Sequence, residues 1–299
     1  MAESTGNPAT AGKTGFVLSG GGSLGAIQAG MVRALYERDI APDLIVGTSV
    51  GALNSAFLAS RPPAVPTART LADVWTSLRH RDVFPLSPLT ALLGLLGFRD
   101  HLVSPRGLKK LLRRWVEFDR LEQAPVPLHL IATEVLTGDE RRLSSGPAAE
   151  AARASAALPG VFPPVRIGGD PLMDGGVTNN TPISQALAHG ATRIYVLPTG
   201  YPCALREPPG SALAVAAHAL SLLIQRRLVE DIRRIPDGFP LIVLPPPCPL
   251  TVAPTDFSRS AELVERGLAN ARDFLDDLPP GLPAVPETLR EPSHQHARP

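Results

Sequence analysis

A serine between two glycines is the residue of this chain whose neighbours best suit a nucleophile. Ser49 lies in the segment Gly47-Thr48-Ser49-Val50-Gly51, which follows the apolar run 43–46 and precedes the helix-compatible stretch 52–60. A strand, then Gly-x-Ser-x-Gly, then a helix is the pattern of a nucleophile elbow, in which a sharp turn exposes the serine hydroxyl at a helix N-terminus. We therefore expect Gly47 and Gly51 to allow the turn, and Ser49 to require a base and an oxyanion site from elsewhere.

A glycine-rich loop earlier in the chain could supply donors for an oxyanion. The strand-like run 15–19 leads into Gly20-Gly21-Gly22-Ser23-Leu24-Gly25, and an apolar helical pattern follows. Without Cβ atoms, successive N–H groups can turn toward one point beside a helix N-terminus, which favours negative charge. The loop also satisfies the dinucleotide pattern G-x-G-x-x-G, but that interpretation requires an acidic residue at the end of the second strand. The serine elbow stands there instead, so we disfavour it.

The base that would activate Ser49 is either a histidine or an aspartate. The histidine candidates are His80, His101, His129, His189 and His218, with His294 and His296 in the C-terminal tail. None of them stands in a turn that would direct it at Ser49, and we favour surface or core roles for them. Asp174, in Met173-Asp174-Gly175-Gly176, stands where a predicted strand breaks into glycines. Asp-Gly is also common in tight turns, so spacing alone leaves both interpretations open.

The elements that must position these residues alternate between strand and helix. Besides the two strand–helix units above, the sequence predicts strands at 126–133, 193–197 and 241–244, hairpins at 134–143 and 165–173, and helices at 70–78, 105–118, 148–157, 181–189, within 211–235 and at 258–278. This order predicts an α/β fold with three α/β/α layers and a mostly parallel central sheet. We expect a flexible tail over 1–12, one domain over 13–280 and a proline-rich disordered tail over 281–299.

The composition narrows the function further. Of the 299 residues 44% are hydrophobic, enough for a sizeable core, and the net charge of +1 gives no reason to expect nucleic-acid binding. The N-terminal residues lack the apolar segment of a signal peptide, and the longest apolar stretch, 212–224, predicts a buried helix. Cys203 and Cys248 have neither the number for a disulfide framework nor the spacing of a metal site. We expect both to be incidental and the location to be cytoplasmic.

Two segments after the elbow could contact lipid. The apolar stretch Leu89–Phe98 could act as a flap or an interfacial segment, but an ordinary buried helix is favoured. In the next predicted helix five cations share one face, opposite apolar side chains; they are Arg106, Lys109, Lys110, Arg113 and Arg114. That layout fits an anionic membrane surface, and it equally fits any surface helix over a core, which we favour.

Three segments together resemble the patatin-like phospholipase family of serine acyl hydrolases. They are the glycine loop 20–25, the elbow 47–51 and Asp174-Gly175-Gly176, supported by 154–164 and by Asn179-Asn180-Thr181-Pro182. The resemblance covers roughly residues 15–197. It implies a Ser–Asp dyad without histidine, carried here by Ser49 and Asp174, and an oxyanion hole from Gly20, Gly21 and Gly22, with Gly25 closing the turn.

The resemblance also implies a substrate class. It points to fatty-acyl esters of phospholipids or lysophospholipids, to peripheral membrane contact, and to chemistry without a metal or organic cofactor. Leu24 departs from the family, many members of which carry Arg or Lys there, so a carboxylesterase acting on neutral or soluble esters is the alternative. A catalytically silent lipid-binding module is the non-enzymatic alternative, against which the intact Ser49, Asp174 and glycine loop argue.

Overall fold

One sheet lies at the centre of the protein. The computed structural model describes residues 12–85, 87–200, 210–250, 252–278, 283–286 and 289. Within these residues eight strands form the sheet: β1 (Thr14–Leu18), β2 (Leu44–Thr48), β3 (Leu128–Glu134), β4 (Glu140–Leu143), β5 (Val165–Ile167), β6 (Asp170–Asp174), β7 (Arg193–Leu197) and β8 (Leu241–Val243). Both predicted hairpins are confirmed, since β4 runs antiparallel to β3 and β6 antiparallel to β5.

Helices connect most of these strands. They are α1 (Ala26–Tyr36), α2 (Val50–Ala59), α3 (Val65–Ser77), α4 (His80–Val83), α5 (Pro88–Leu95), α6 (Arg106–Trp115), α7 (Ala148–Ser155), α8 (Ile183–Ala188), α9 (Ala212–Arg233) and α10 (Ser260–Asp276). The residues Gly22–Gly25 and Gly175–Val177 form short 3₁₀ turns. Helix α3 begins earlier than the sequence predicts, because Pro66 is well placed in a first helical turn.

The order of the strands in the sheet differs from their order along the chain. Hydrogen-bonded neighbours are connected in the order β5-β6-β3-β2-β1-β7-β8, where β6 and β2 share one edge of β3 and β4 pairs with its other edge. Strands β3, β2, β1, β7 and β8 are mutually parallel, whereas β4, β5 and β6 run antiparallel to their neighbours. The predicted α/β fold with a mostly parallel sheet is confirmed.

Successive side chains of the strands are buried on opposite faces of the sheet. Phe16 and Leu18 pack into a core that includes residues of α1, α2, α3, α6, α7 and α10. Val17 points to the other face, where the core includes residues of α8 and α9. Because successive residues of a strand face opposite sides, the sheet is covered on both sides. This is the three-layer arrangement that the strand and helix pattern predicts.

Strand β3 brings two distant parts of the chain together. On one edge it pairs with β4; on its other edge it pairs first with β2 and then, beyond the end of β2, with β6. Thr48 pairs with Ile131, and Asp174 pairs with the next residue, Ala132. The C-terminal ends of β2 and β6 therefore meet along one edge of β3, inside the sheet.

Two apolar helices differ from the sequence-based expectation. Leu220 and Leu223 of α9 are exposed, and so are Leu89, Leu92 and Leu95 of α5, so the expectation that both segments are buried is wrong. An apolar segment becomes buried only when another element of the fold covers it. Within the described ranges, no helix combines the length and apolarity needed to cross a bilayer.

Packed residues continue beyond the expected C-terminal end of the domain. Ala284 exchanges backbone hydrogen bonds with β8, and Leu289 is buried in the second core, so ordered chain continues beyond residue 280. Residues 1–11 and 290–299 lie outside the described residues. Cys248 is disulfide-bonded, which corrects the expectation that it is incidental; Cys203 lies outside the described residues.

Candidate active site

Ser49 stands at a strained turn between β2 and α2. Its backbone has φ 55° and ψ −124°, a conformation that side chains other than glycine rarely adopt. Gly51 permits the turn, because a Cβ there would lie 2.2 Å from the carbonyl oxygen of Leu18 in β1. A Cβ on Gly47 would lie 2.5 Å from the carbonyl oxygen of Gly51. The chain thus turns within a space that only glycines on both sides allow.

The Ser49 hydroxyl is hydrogen-bonded to the carboxylate of Asp174. Ser49 Oγ donates to Asp174 Oδ2 at 2.6 Å, and the two residues are only 6% and 3% exposed. Burial raises the pKa of Asp174 from 3.8 to about 6, although hydrogen bonds from Ser49 and from the Gly176 N–H act to lower it. The raised pKa makes the carboxylate a better proton acceptor than an exposed aspartate.

Backbone and hydroxyl groups fix both partners. The Gly176 N–H donates to Asp174 Oδ1 at 2.7 Å, and Thr133 Oγ1 donates to the Asp174 carbonyl oxygen at 3.0 Å. The Ser49 N–H donates to Ser155 Oγ at 3.0 Å, and that hydroxyl donates in turn to the carbonyl oxygen of Ile131. Gly175 lies so close to β3 that a Cβ would be 2.2 Å from the same carbonyl oxygen. Strand β3 therefore orients the serine and the aspartate together.

The glycine loop lies beside Ser49. A Cβ on Gly20 would be 3.0 Å from Ser49 Cβ. The Gly20 N–H already donates to the carbonyl oxygen of Asn180 at 3.1 Å. Among the described residues, the N–H groups of Gly21 and Gly22 have no acceptor. Of the donors expected from the sequence, these two are available to a ligand.

Gly25 contributes packing to the loop. A Cβ on Gly25 would lie 2.5 Å from Val50 Cγ2 and 2.9 Å from the Trp75 ring. The absence of a side chain at Gly25 therefore lets α1 begin in direct contact with α2, the helix that follows Ser49. Leu24 is buried in the core, so its side chain is no part of an exposed ligand-binding surface.

A network of buried polar side chains is hydrogen-bonded to the backbone on both sides of the glycine loop. Asn54 Nδ2 donates to the Gly25 carbonyl oxygen at 3.0 Å and to Gln28 Oε1 at 2.8 Å. Gln28 Nε2 donates to the carbonyl oxygens of Ser19 and Leu197, at 2.9 and 2.8 Å. Trp75 Nε1 donates to Asn54 Oδ1 at 3.0 Å. Both sides of the loop are thus tied to one set of buried amide groups.

An apolar cavity opens beside the Ser49 hydroxyl. Its volume is about 50 Å³, and aromatic and aliphatic side chains dominate its lining: Ser49, Gly22, Val50, Leu53, Trp75, Leu78, Val83, Phe84, Leu108, Leu111, Trp115, Ala156, Leu158, Phe162 and Phe257. Phe84 and Phe162 stack with ring centres 5.5 Å apart. A second cavity, of about 130 Å³, lies between Gly176, Asn180 and α9 and does not include Ser49. Of these two cavities, the apolar one adjoins Ser49.

The histidines lie apart from the serine–aspartate pair. In the part of the chain that the structure describes, no histidine side chain is hydrogen-bonded to Ser49 or Asp174. His129 and His189 lie against each other, with ring centres 4.2 Å apart, and burial lowers the pKa of His129 to about 4. His101 pairs with Asp100, and His80 lies against Phe84. His294 and His296 lie outside the described residues.

Several residues of the site carry little signal in the sequence. Ser155 falls in a segment that only supports the family resemblance, and Asn54, Gln28 and Trp75 fall within ordinary helical patterns. A polar residue on an otherwise apolar helix face is the available clue for Gln28 and Asn54. By contrast, Ser49, Asp174 and the glycines are brought together where their motifs predict.

The fold and the site define a class of protein, and comparison with known proteins specifies the family. A serine at a strand–helix elbow of an α/β sheet, hydrogen-bonded to a carboxylate, is the arrangement of a serine hydrolase. The family model for patatin-like phospholipase matches residues 16–187, more than half of the chain. The chain belongs to the patatin-like phospholipase family, whose members are serine hydrolases.

Individual relatives match the same part of the chain. Patatin-like phospholipase domain-containing protein 7 of Mus musculus is 30% identical over 191 residues, which cover 62% of this chain and 13% of that protein. Lysophospholipase NTE1 of Mycosarcoma maydis is 29% identical over 193 residues, covering 62% of this chain and 10% of that protein. The chain thus matches only a small part of these two relatives.

A solved structure supports the fold. The crystal structure of VipD from Legionella pneumophila aligns with a TM-score of 0.50 at 15% sequence identity. The alignment covers 89% of this chain and 67% of that one. At this identity the similarity concerns the fold and not the substrate.

Proposed function

We propose that the protein is a lipid acyl hydrolase in which Ser49 is the nucleophile and Asp174 the base. The observation that carries the proposal is the 2.6 Å hydrogen bond between Ser49 Oγ and Asp174 Oδ2 beside an apolar cavity. A buried carboxylate with a raised pKa is suited to take a proton from a hydroxyl. The cavity is suited to an acyl chain, because its lining is almost entirely apolar.

The geometry supports a two-step reaction. Ser49 Oγ attacks the ester carbonyl carbon while its proton passes to Asp174, and the carbonyl oxygen becomes an oxyanion. The N–H groups of Gly21 and Gly22 are the donors we assign to that oxyanion, and one such donor contributes roughly 2.7–4 kcal/mol. The tetrahedral intermediate collapses, the alcohol leaves with the proton from Asp174, and the acyl group stays on Ser49.

Hydrolysis of the acyl-enzyme repeats these roles. Asp174 takes a proton from water as the water oxygen attacks the acyl carbon. The bond to Ser49 Oγ breaks, Ser49 regains a proton from Asp174, and the fatty acid leaves. Each step uses only groups of this chain and water.

The substrates that we favour are phospholipids or lysophospholipids. Family membership and the name of the Mycosarcoma maydis relative support this class. Peripheral contact with a lipid surface is part of the proposal, because such substrates lie in that surface. A cytoplasmic location rests on the sequence alone, and the disulfide at Cys248 argues against it, since disulfides persist mainly in oxidising compartments.

One observation favours a second candidate, a carboxylesterase acting on neutral esters. Leu24 occupies the loop position where many family members carry a cation, and its side chain is buried. The glycine loop therefore offers backbone donors but no cation for a phosphate. Assays that compare intact phospholipids, lysophospholipids and neutral lipids distinguish the two candidates by which class is hydrolysed fastest.

Two substitutions test the proposed dyad. With short p-nitrophenyl esters, Ser49→Ala is expected to abolish turnover, and Asp174→Asn to lower it nearly as far. His129→Gln, His189→Gln and His218→Gln are matched controls that should keep wild-type activity. Equal hydrolysis by wild type and Ser49→Ala would reject Ser49 as the nucleophile, whereas absence of hydrolysis by the wild type would favour a lipid-binding module. A histidine variant as inactive as Ser49→Ala would replace the dyad with a triad.

A further inference from the structure

An apolar helix, α5, lies on the surface after α4, and among the described residues nothing covers its exposed side chains. Five large side chains of α5 and the residues just beyond it are between 53% and 76% exposed: Leu89, Leu92, Leu95, Leu96 and Phe98. The stretch 85–98 contains no charged residue. Exposed apolar side chains that are clustered in this way mark a binding surface rather than ordinary surface scatter.

Helix α6, which follows, has a cationic face that forms no ion pair within the described part of the chain. Its five cations are exposed, while Leu108, Leu112 and Trp115 are buried beneath them. The stretch 101–116 contains these five Lys and Arg residues and no Asp or Glu, although the whole chain has a net charge of only +1. The flanking acids are occupied elsewhere, since Asp100 pairs with His101 and Glu117 with Arg61.

Helix α6 lines the cavity beside Ser49, and α5 is connected to the cavity through the loop residues 101–102 and 160–162. Leu108, Leu111 and Trp115 on the inner side of α6 line that cavity. Gly94 of α5 lies against the carbonyl oxygen of His101, and the next residue, Leu102, donates its N–H to the carbonyl oxygen of Gly160. That loop continues into Phe162, which also lines the cavity. A surface in contact with α5 and α6 would therefore lie next to the acyl-chain cavity.

We propose that α5 and the cationic face of α6 form one docking surface for a lipid bilayer that carries anionic headgroups. The inference rests on the proposed function, because it names the surface from which the substrate is taken. Leucine and phenylalanine side chains insert among acyl chains while cations contact headgroups, the combination that binds interfacial helices. Eight residues of α5 span about 12 Å, so the helix lies in the interface and does not cross the roughly 30 Å hydrocarbon core.

Charge distinguishes this surface from the exposed leucines of α9. There acidic side chains stand among the cations of the same helix, because Glu230 and Asp231 lie in α9 and Asp231 pairs with both Arg227 and Arg234. The α9 leucines thus provide a matched control: Leu222 and Leu223 are exposed and helical, as Leu92 and Leu95 are.

The test measures cosedimentation with vesicles of phosphatidylcholine alone or mixed with phosphatidylglycerol. Ser49→Ala serves as the parent, so that the vesicles are not consumed. Lys109→Gln/Lys110→Gln is expected to bind mixed vesicles about 30-fold more weakly, the combined effect of two cations at an anionic surface, with Arg193→Gln unchanged. Leu92→Ser/Leu95→Ser is expected to lose about tenfold, and Leu222→Ser/Leu223→Ser to bind as the parent does.

Several results would overturn the docking surface. They are equal binding to both vesicle types, parental binding by the lysine variant, or equal losses in the α5 and α9 variants. Conversion of an oligomer to a monomer by Leu92→Ser/Leu95→Ser, with vesicle binding intact, would assign α5 to a second copy of the chain. The lysine variant tests the surface even if the leucine variant does not fold.

Failure of the docking surface and failure of the proposed function are separable. Built on active enzyme, the surface variants should hydrolyse short p-nitrophenyl esters at the wild-type rate, because none of the replaced side chains touches Ser49 or Asp174. Persistent ester hydrolysis by Ser49→Ala would reject the proposed nucleophile and leave the vesicle result standing. Loss of vesicle binding with normal ester hydrolysis supports the surface.

Discussion

Ser49 and Asp174 meet because their strands pair with consecutive residues of β3. Thr48, the residue before the serine, pairs with Ile131, and Asp174 pairs with Ala132. Ser155 extends the arrangement, because its hydroxyl connects the Ser49 N–H to the Ile131 carbonyl oxygen. The relative position of Ser49 and Asp174, the proposed nucleophile and base, is therefore set by the backbone of one central strand and does not depend on a mobile loop.

The pH dependence of turnover should follow the ionisation of Asp174. Burial raises the pKa of this carboxyl group to about 6, and only the ionised form can accept the Ser49 proton. We expect kcat/KM for a neutral ester to rise with pH, with a midpoint near that value, and to level off above it.

The midpoint alone does not separate a carboxylate from an imidazole, so the profile needs histidine controls. The glutamine variants of His80, His129 and His218 should keep the same rising limb. A limb that disappears in one of them would assign the ionisation to that histidine. A midpoint near the ordinary aspartate value would show that burial does not hold Asp174 as we describe.

Asp174→Asn should stabilise the protein at alkaline pH. Because folding raises the pKa of this group from 3.8 to about 6, the folded state holds a proton that the unfolded chain loses between these values. The free energy of unfolding therefore falls as the pH rises through this window, and at higher pH the total loss is about 3 kcal/mol. Asparagine removes this dependence.

Urea unfolding at about pH 4 and about pH 8 measures the effect. The gain of Asp174→Asn over wild type should be largest at the higher pH and should shrink at the lower one. A gain that is independent of pH would trace to packing or hydrogen bonding and not to the buried charge.

The motifs were sufficient to predict that Ser49 and Asp174 come together, for a physical reason. The glycines at 47, 51 and 175 are required because a Cβ would collide with neighbouring backbone, and such requirements leave a pattern in the sequence. The sheet order, by contrast, depends on β6 continuing the edge of β3 where β2 ends. No local pattern specifies that β6, which begins more than a hundred residues after the end of β2, pairs with the rest of this edge of β3.

Burial was the least predictable property. The apolar segments of α5 and α9 have the composition of buried helices, yet three leucines of each segment are exposed, namely Leu89, Leu92, Leu95, Leu220, Leu222 and Leu223, because exposure depends on whether another element covers them. The proposed oxyanion donors show a similar limit to what the sequence can predict. Gly20 lies in the expected loop, but its N–H is taken by the carbonyl oxygen of Asn180, a partner that only tertiary structure supplies.

Ser155→Ala should impair the elbow without removing a reacting group. Without the Ser155 hydroxyl the buried Ser49 N–H has no acceptor, which costs about 1–3 kcal/mol. We expect a lower free energy of unfolding and a lower kcat at nearly unchanged KM, because the strained turn at Ser49 loses its support. Ser55→Ala is the matched control: Ser55 Oγ is buried and, in the described part of the chain, has no hydrogen-bond partner. Equal effects of the two variants would contradict this role for Ser155.

Trp75→Phe should weaken the support of the glycine loop. The indole donates to Asn54 Oδ1, and Asn54 donates to the Gly25 carbonyl oxygen. Phenylalanine keeps most of the ring but leaves the Asn54 oxygen unpaired, so a loss of about 1–3 kcal/mol in stability is expected. Kinetically, kcat should fall for short and long acyl esters alike. A change confined to long esters would mean that Trp75 acts only as a cavity wall.

Phe162→Leu should shift the preferred acyl length. The cavity beside Ser49 is about 50 Å³ and is partly closed by the stacked rings of Phe84 and Phe162. A smaller side chain enlarges the apolar space, and each additional buried methylene is worth about 0.8 kcal/mol. We expect kcat/KM across a p-nitrophenyl ester series to peak at a longer chain than in wild type. Phe274→Leu, a change outside the cavity lining, should leave the peak where it is. If both variants or neither shifts the peak, the acyl chain binds elsewhere.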